Sequence, residues 1–135
     1  MIKMTESNRF SESIEDYLEA IYVLGGKNVR SIAISRRLNV SRASVNRAVN
    51  TLIEKGLVTK KPYGEIYLTD IGMKASESVQ KKHQILKRFL IEILGVEETT
   101  ANKEACGIEH NISSETATKI DRLINEIKDK QSGSR

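Results

Sequence analysis

A thiol, a carboxylate and an imidazole fall within five residues near the C-terminal end of this 135-residue chain: Cys106, Glu109 and His110. On a helix, positions i, i+3 and i+4 share one face. That spacing brings three different metal-donor types together. Two further sets have the same character. Asp16 and Glu19 lie three residues apart, and His83 stands alone in the middle of a long helical pattern. Both histidines and the only cysteine of the chain fall within these sets. Each set taken singly has a plain alternative: a carboxylate pair is often a solvated helix face, and a lone histidine is often a satisfied surface group. Thiolate favours Zn(II), Co(II) or Fe(II), whereas carboxylates suit Mn(II), so the residue types leave the metal open. Gly107 lies inside the third set and lowers helix stability by roughly 1 kcal/mol relative to alanine. Close backbone approach or ligand geometry is the expected reason for it.

The second chemistry is electrostatic. Residues 30–61 hold Arg30, Arg36, Arg37, Arg42, Arg47, Lys55, Lys60 and Lys61 against Glu54 alone, for +7, while the whole chain carries +4. Concentrated charge of this kind is the footprint of a polyanion-binding element. A solvated basic face is the alternative, and position within the fold discriminates between the two.

The elements that must position these groups are mostly helices. Aromatics are 4% of the chain, tryptophan is absent, and one proline and eight glycines interrupt it. Ser11 or Ser13 caps a first helix whose apolar positions Ile14, Tyr17, Leu18, Ile21, Tyr22 and Leu24 follow the 3.6-residue period. Gly25-Gly26 ends it, and residues 1–10 are expected to fray. A short helix over 29–38, a turn at Asn39-Val40-Ser41 and a second helix over 41–55 form a helix-turn-helix. Val45, Ala48, Val49, Leu52 and Ile53 supply the apolar face of the second helix. Two β-prone runs, 57–61 and 65–68, flank Pro62-Tyr63-Gly64 and read as a hairpin. A helix-turn-helix followed by a hairpin is a winged helix. Thr69-Asp70 opens a helix reaching about 94, a shorter one covers about 97–110, and a last one follows Ser113, with Ala117, Ile120, Leu123, Ile124 and Ile127 on its apolar face. Residues 131–135 are expected to be a loose tail.

The expected fold is therefore mostly α, with a winged helix-turn-helix domain over 1–70 and a helical domain over 71–135. In a winged helix the second helix of the motif enters the major groove. Its N-terminal turns present Ser41, Arg42, Ala43, Ser44, Asn46 and Arg47. Arg42 and Arg47 suit guanine or phosphate, Asn46 suits adenine, and Ala43 suits a thymine methyl. Lys60, Lys61 and Tyr63 on the wing, with Arg36 and Arg37, are assigned to phosphate contact. No window of 18 apolar residues and no N-terminal apolar stretch indicates a membrane span or a secretory signal. A single cysteine excludes an internal disulfide framework and points to the cytoplasm.

These residues also resemble a known family. The run Glu15-Asp16-Tyr17-Leu18-Glu19-Ala20-Ile21-Tyr22, the winged helix, His83 and the run Cys106-Gly107-Ile108-Glu109-His110 are similar in order and spacing to the diphtheria-toxin-repressor family. The similarity covers about 11–128 and is closest to the short manganese-regulator branch. It implies a homodimeric repressor that binds palindromic operator DNA and controls manganese or iron uptake genes. It also implies a helical dimerisation domain, and no third, SH3-like domain of the longer members. It implies Asp16, Glu19, His83, Cys106, Glu109 and His110 as ligands to one or two divalent ions per subunit, Mn(II) or Fe(II), with Zn(II) and Co(II) also compatible. The set is a hybrid. Cys106 stands where the manganese branch usually has Glu, Asp16 stands where the iron branch has Met, and Lys87 replaces a carboxylate of the iron branch's ancillary site. The alternative is a winged-helix regulator answering to a non-metal signal, such as a small organic ligand or oxidation of Cys106. An enzyme is not expected, because no nucleophile or base stands apart from the ligand set.

Overall fold

A computed structural model describes residues 14–133. The expected caps at Ser11 and Ser13 and the frayed segment 1–10 lie outside them, as do residues 134 and 135. The chain forms two compact units that divide after Glu77.

In the N-terminal unit, α1 covers 14–23. Ile14, Tyr17, Leu18, Ala20 and Ile21 line its buried face. The helix-turn-helix follows as α2 (Ser31–Leu38) and α3 (Arg42–Glu54). The turn between them closes through Asn39 at φ 55° and through Ser35 Oγ, which donates to the Val40 carbonyl at 2.6 Å. Ser41 caps α3 by accepting from the Ser44 N–H at 3.1 Å. The helix buries Val45, Ala48, Val49 and Leu52. Ile53, assigned to the same face, is instead 38% exposed. It sits one residue, about 100° of rotation, beyond the i, i+3, i+4, i+7 stripe.

The wing is an antiparallel pair, β1 (Val58–Lys60) and β2 (Ile66–Leu68), in register Val58 to Leu68, Thr59 to Tyr67 and Lys60 to Ile66. Val29 was expected to start the preceding helix. It makes an isolated bridge to Ile66 instead, exchanging both backbone hydrogen bonds at 3.0 and 2.8 Å. The β-branched side chain of Val29 is buried there, so pairing outcompetes helix extension. Val29, Val58 and Ile66 join α1, α2 and α3 in one aliphatic core.

α4 (Asp70–Arg88) begins in the first unit, with the Thr69 hydroxyl accepting from the Gly72 N–H at 3.0 Å. Gly72 is there by necessity. A Cβ at this position would lie 1.9 Å from the Leu57 carbonyl oxygen. The long helix reaches the expected length, but its last turn, Phe89–Ile93, is a π-helix, closed by the Leu94 N–H on the Phe89 carbonyl at 3.2 Å and ended by Gly95 at φ 72°.

In the C-terminal unit, α5 (Glu98–Ile108) runs into a 3-10 turn, Glu109–Asn111, and α6 (Ser114–Gly133) follows. Ser113 caps α6 by accepting from the Thr116 N–H at 3.0 Å. The expected loose tail is helical as far as Gly133. Leu86, Leu90, Ala101 and Ala105 form one buried cluster, and Ile85, Ala117 and Ile124 form another. Leu123, expected on the buried face of α6, is exposed. No helix among the described residues is long and apolar enough to cross a membrane.

Candidate functional site

His83 projects from α4 and is 8% exposed. Its Nδ1 lies 2.7 Å from Glu109 Oε1 and 3.7 Å from Cys106 Sγ. Its Nε2 lies 2.9 Å from Asn102 Oδ1. The donor atoms of His83, Cys106 and Glu109 all fall within 4.8 Å of one another. Asn102 and Cys106 occupy successive turns of α5, and Glu109 opens the 3-10 turn that ends it.

Burying a carboxylate costs several kcal/mol unless every oxygen is compensated. Glu109 is 1% exposed, and its Oε2 has no hydrogen-bond partner among the described residues. His110 Nε2 lies 3.8 Å from it, beyond hydrogen-bond reach. A buried carboxylate oxygen with no donor, a thiol and an imidazole in one cluster are the donor set of a divalent transition ion. The residues present fit such an ion.

His110 Nε2 lies 3.8 Å from Glu109 Oε2, next to the three donors that come within 4.8 Å of one another. The expected i, i+4 alignment of Cys106 with His110 assumes a regular α-helix. The chain tightens to three residues per turn at Glu109, and Asn111 Nδ2 donates back to the Gly107 carbonyl at 2.9 Å. A Cβ at Gly107 would meet nothing within 4 Å, so no close approach explains this glycine. Asp16 and Glu19 lie on α1 of the N-terminal unit, both half-buried. Lys87, one turn after His83, pairs with Glu98 at 3.7 Å, where Glu98 is one turn before Asn102. Asn102 was not singled out from sequence. It sits at the helical spacing i−4 from Cys106, but an amide is not a usual metal ligand.

On the N-terminal unit, Arg42, Ala43, Asn46, Arg47 and Asn50 are exposed along α3. Ala43, Asn46, Arg47 and Asn50 follow i, i+3, i+4, i+7 and make one stripe. Asn50 was missed, although the period alone would have extended the stripe to it. Ser41 and Ser44 are engaged locally: Ser41 Oγ donates to Ser44 Oγ at 3.0 Å, and Arg47 donates to the same Ser44 oxygen at 3.2 Å. Arg36 and Arg37 are exposed at the end of α2. On the wing, Tyr63 is 84% exposed at the tip, Lys60 is exposed, and Lys61 lies 5.4 Å from the ring centre of Tyr67.

A basic winged helix, with a thiol–imidazole–carboxylate cluster in the helical unit, defines a DNA-binding regulator of the metal-responsive class. The comparisons agree. Residues 9–66 match the family model described as iron dependent repressor, N-terminal DNA binding domain. Residues 69–135 match that described as iron dependent repressor, metal binding and dimerisation domain. A helix-turn-helix-type transcriptional regulator of Methanocaldococcus jannaschii is 37% identical over 123 residues, 89% of this chain and 98% of that protein. The regulator MntR of Oceanobacillus iheyensis is 34% identical over 122 residues, 89% of this chain and 82% of that protein. A solved manganese-dependent transcriptional repressor in complex with manganese superposes with a TM-score of 0.75 at 28% identity, over 83% of this chain and 52% of that one. The chain thus spans about half the length of that repressor. It belongs to the iron-dependent repressor family, the diphtheria-toxin-repressor family that its sequence resembles.

Proposed function

We propose that this chain is a cytoplasmic, homodimeric repressor that binds palindromic operator DNA when loaded with Mn(II) or Fe(II), and that it controls uptake genes for that metal. The observation that carries the reading is Glu109: a buried carboxylate with one oxygen on His83 Nδ1 and the other without a hydrogen bond among the described residues, beside Cys106. His83, Cys106 and Glu109 form the centre of the ligand set. His110, adjacent to Glu109, and Asp16 and Glu19 of α1 complete it. The spacing of the two acids and the family resemblance support that assignment. These residues would hold one or two ions per subunit.

When bound, the ion would supply positive charge that the clustered carboxylates otherwise lack; Asp16 and Glu19 of α1 would hold it together with the ligands of the helical unit. The chain's own residues do the rest. Crowded carboxylates repel one another without a cation, so the metal-free dimer samples many spacings of its two α3 helices. A palindromic operator accepts one spacing, near one helical turn or a multiple of it. On α3, Arg42, Ala43, Asn46 and Arg47 read base edges, while Arg36, Arg37, Lys60, Lys61 and Tyr63 hold phosphates. Ser41 and Ser44 set the start of α3 and the aim of Arg47. The solved relative in complex with manganese supports Mn(II), and the thiol of Cys106 supports Fe(II) or a softer ion.

Calorimetric titration of the metal-free protein with Mn(II), Fe(II), Co(II) and Zn(II) tests the reading. Binding of each ion is expected, with Co(II) developing a thiolate charge-transfer band that Cys106→Ser removes. A chain that takes up none of the four ions would contradict it.

A further inference from the structure

Asn102 is exposed on α5, yet its side-chain oxygen Oδ1 meets Nε2 of the buried His83 at 2.9 Å. The opposite ring nitrogen, Nδ1, faces Glu109 Oε1 at 2.7 Å and Cys106 Sγ at 3.7 Å. A neutral imidazole has one N–H and one lone pair, and only the lone pair can bind a metal. An amide oxygen accepts and never donates. Its contact with Nε2 is therefore a hydrogen bond only when Nε2 carries a proton. The same holds at Nδ1, where Glu109 Oε1 accepts in the metal-free protein, so a bound ion would take the place of the Nδ1 proton. Ligating histidines are held in this way, with the second ring nitrogen donating to an acceptor that fixes both tautomer and ring angle.

We propose that Asn102 is a positioning residue that holds His83 with Nε2 protonated and so commits the ring to offer Nδ1 to a divalent ion shared with Cys106 and Glu109. The inference rests on the metal-site reading of that cluster. The amide belongs to an exposed side chain, and the next turn of the same two helices is joined independently by Lys87 and Glu98 at 3.7 Å. Its removal should therefore change the aim of the ring more than the fold.

The test uses the full chain with Zn(II) as a diamagnetic probe, read by competition titration and by long-range proton–nitrogen spectra of the histidine rings. In the native protein the His83 spectrum is expected to show zinc on Nδ1 and a proton on Nε2. Asn102→Ala should weaken Zn(II) binding about 10–100-fold, with its thermal midpoint in the metal-free state unchanged. Asn102→Asp, which keeps an acceptor, should restore most of that loss. Zinc on Nε2 in the native spectrum would overturn the proposal without any variant. Native affinity in Asn102→Ala, or a loss that Asn102→Asp fails to recover, would overturn it as well. Failure of the native chain to bind Zn(II) would instead contradict the metal-site reading itself and remove the basis of this inference.

Discussion

Glu109 has a burial that packing does not account for. Its side chain is fully buried, and among the described residues its only side-chain hydrogen bond is to another buried ionisable group, His83. Glu109→Ala and His110→Ala are each expected to leave a folded dimer, checked by light scattering, while metal-stimulated operator binding disappears. On the DNA side the two classes of cation should separate. Arg47, aimed by Ser44, is expected to contribute about 1–3 kcal/mol of discrimination between operator and altered sites. Lys60→Ala should weaken all duplexes alike and lower the salt slope by about one unit. Equal loss of specific and non-specific binding in Arg47→Ala would reassign it to phosphate. The residue types and their order were legible in the sequence: Cys106, Glu109 and His83 do converge. His110 follows Glu109 in a 3-10 turn, a tightening of the backbone that helical periodicity does not register.

At the scale of elements, the helix-turn-helix and wing follow from local chemistry: Ser41 as a cap, Asn39 in the left-handed turn, Gly64 at φ 87° in the hairpin. Departures arise where a long-range contact competes with local preference. Val29 leaves the helix to pair with Ile66, a partner 37 residues away that periodicity does not see. Gly72 is another such case. Its role is to let α4 approach the Leu57 carbonyl, and Gly72→Ala should destabilise the N-terminal unit by about 1–3 kcal/mol or more, read as a lower unfolding midpoint. An unchanged midpoint would mean that α4 shifts freely at this point. The π-turn is tied to α6 by the Lys128–Glu92 ion pair, and Arg88 at the end of α4 pairs both with Glu92 one turn on and with Asp121 of α6. The Lys128 ammonium, hydrogen-bonded to Glu92, holds that carboxyl below the usual carboxylate range. A lowered folded-state value means that the pair's contribution is present above the ordinary carboxylate range. It is lost as pH falls through the lowered one. Because these groups are exposed, the contribution is screened by salt. Lys128→Ala is expected to flatten the acid limb of the stability profile at low ionic strength and to change nothing at high salt.

For the whole molecule, the charge distribution and the ligand chemistry divide between the two units. The +7 segment lies wholly in the first, and the His83–Cys106–Glu109 cluster lies in the second. Composition revealed the first, since charge is additive along a sequence. The second became legible only by combining residues from separate helices, which spacing suggests and the family resemblance organises. Coupling between the two is the central claim, and linkage makes it reciprocal: an ion that tightens operator binding must itself be bound more tightly by the operator complex. The most direct measurement is fluorescence anisotropy of duplex DNA taken from upstream of the protein's own gene, titrated with the native dimer with and without Mn(II) or Fe(II) at fixed salt. The account predicts at least about a tenfold gain in affinity, or roughly 1.4 kcal/mol, with either ion, and none in Glu109→Ala. Tight operator binding that is the same with metal, without it and in the variant would contradict it.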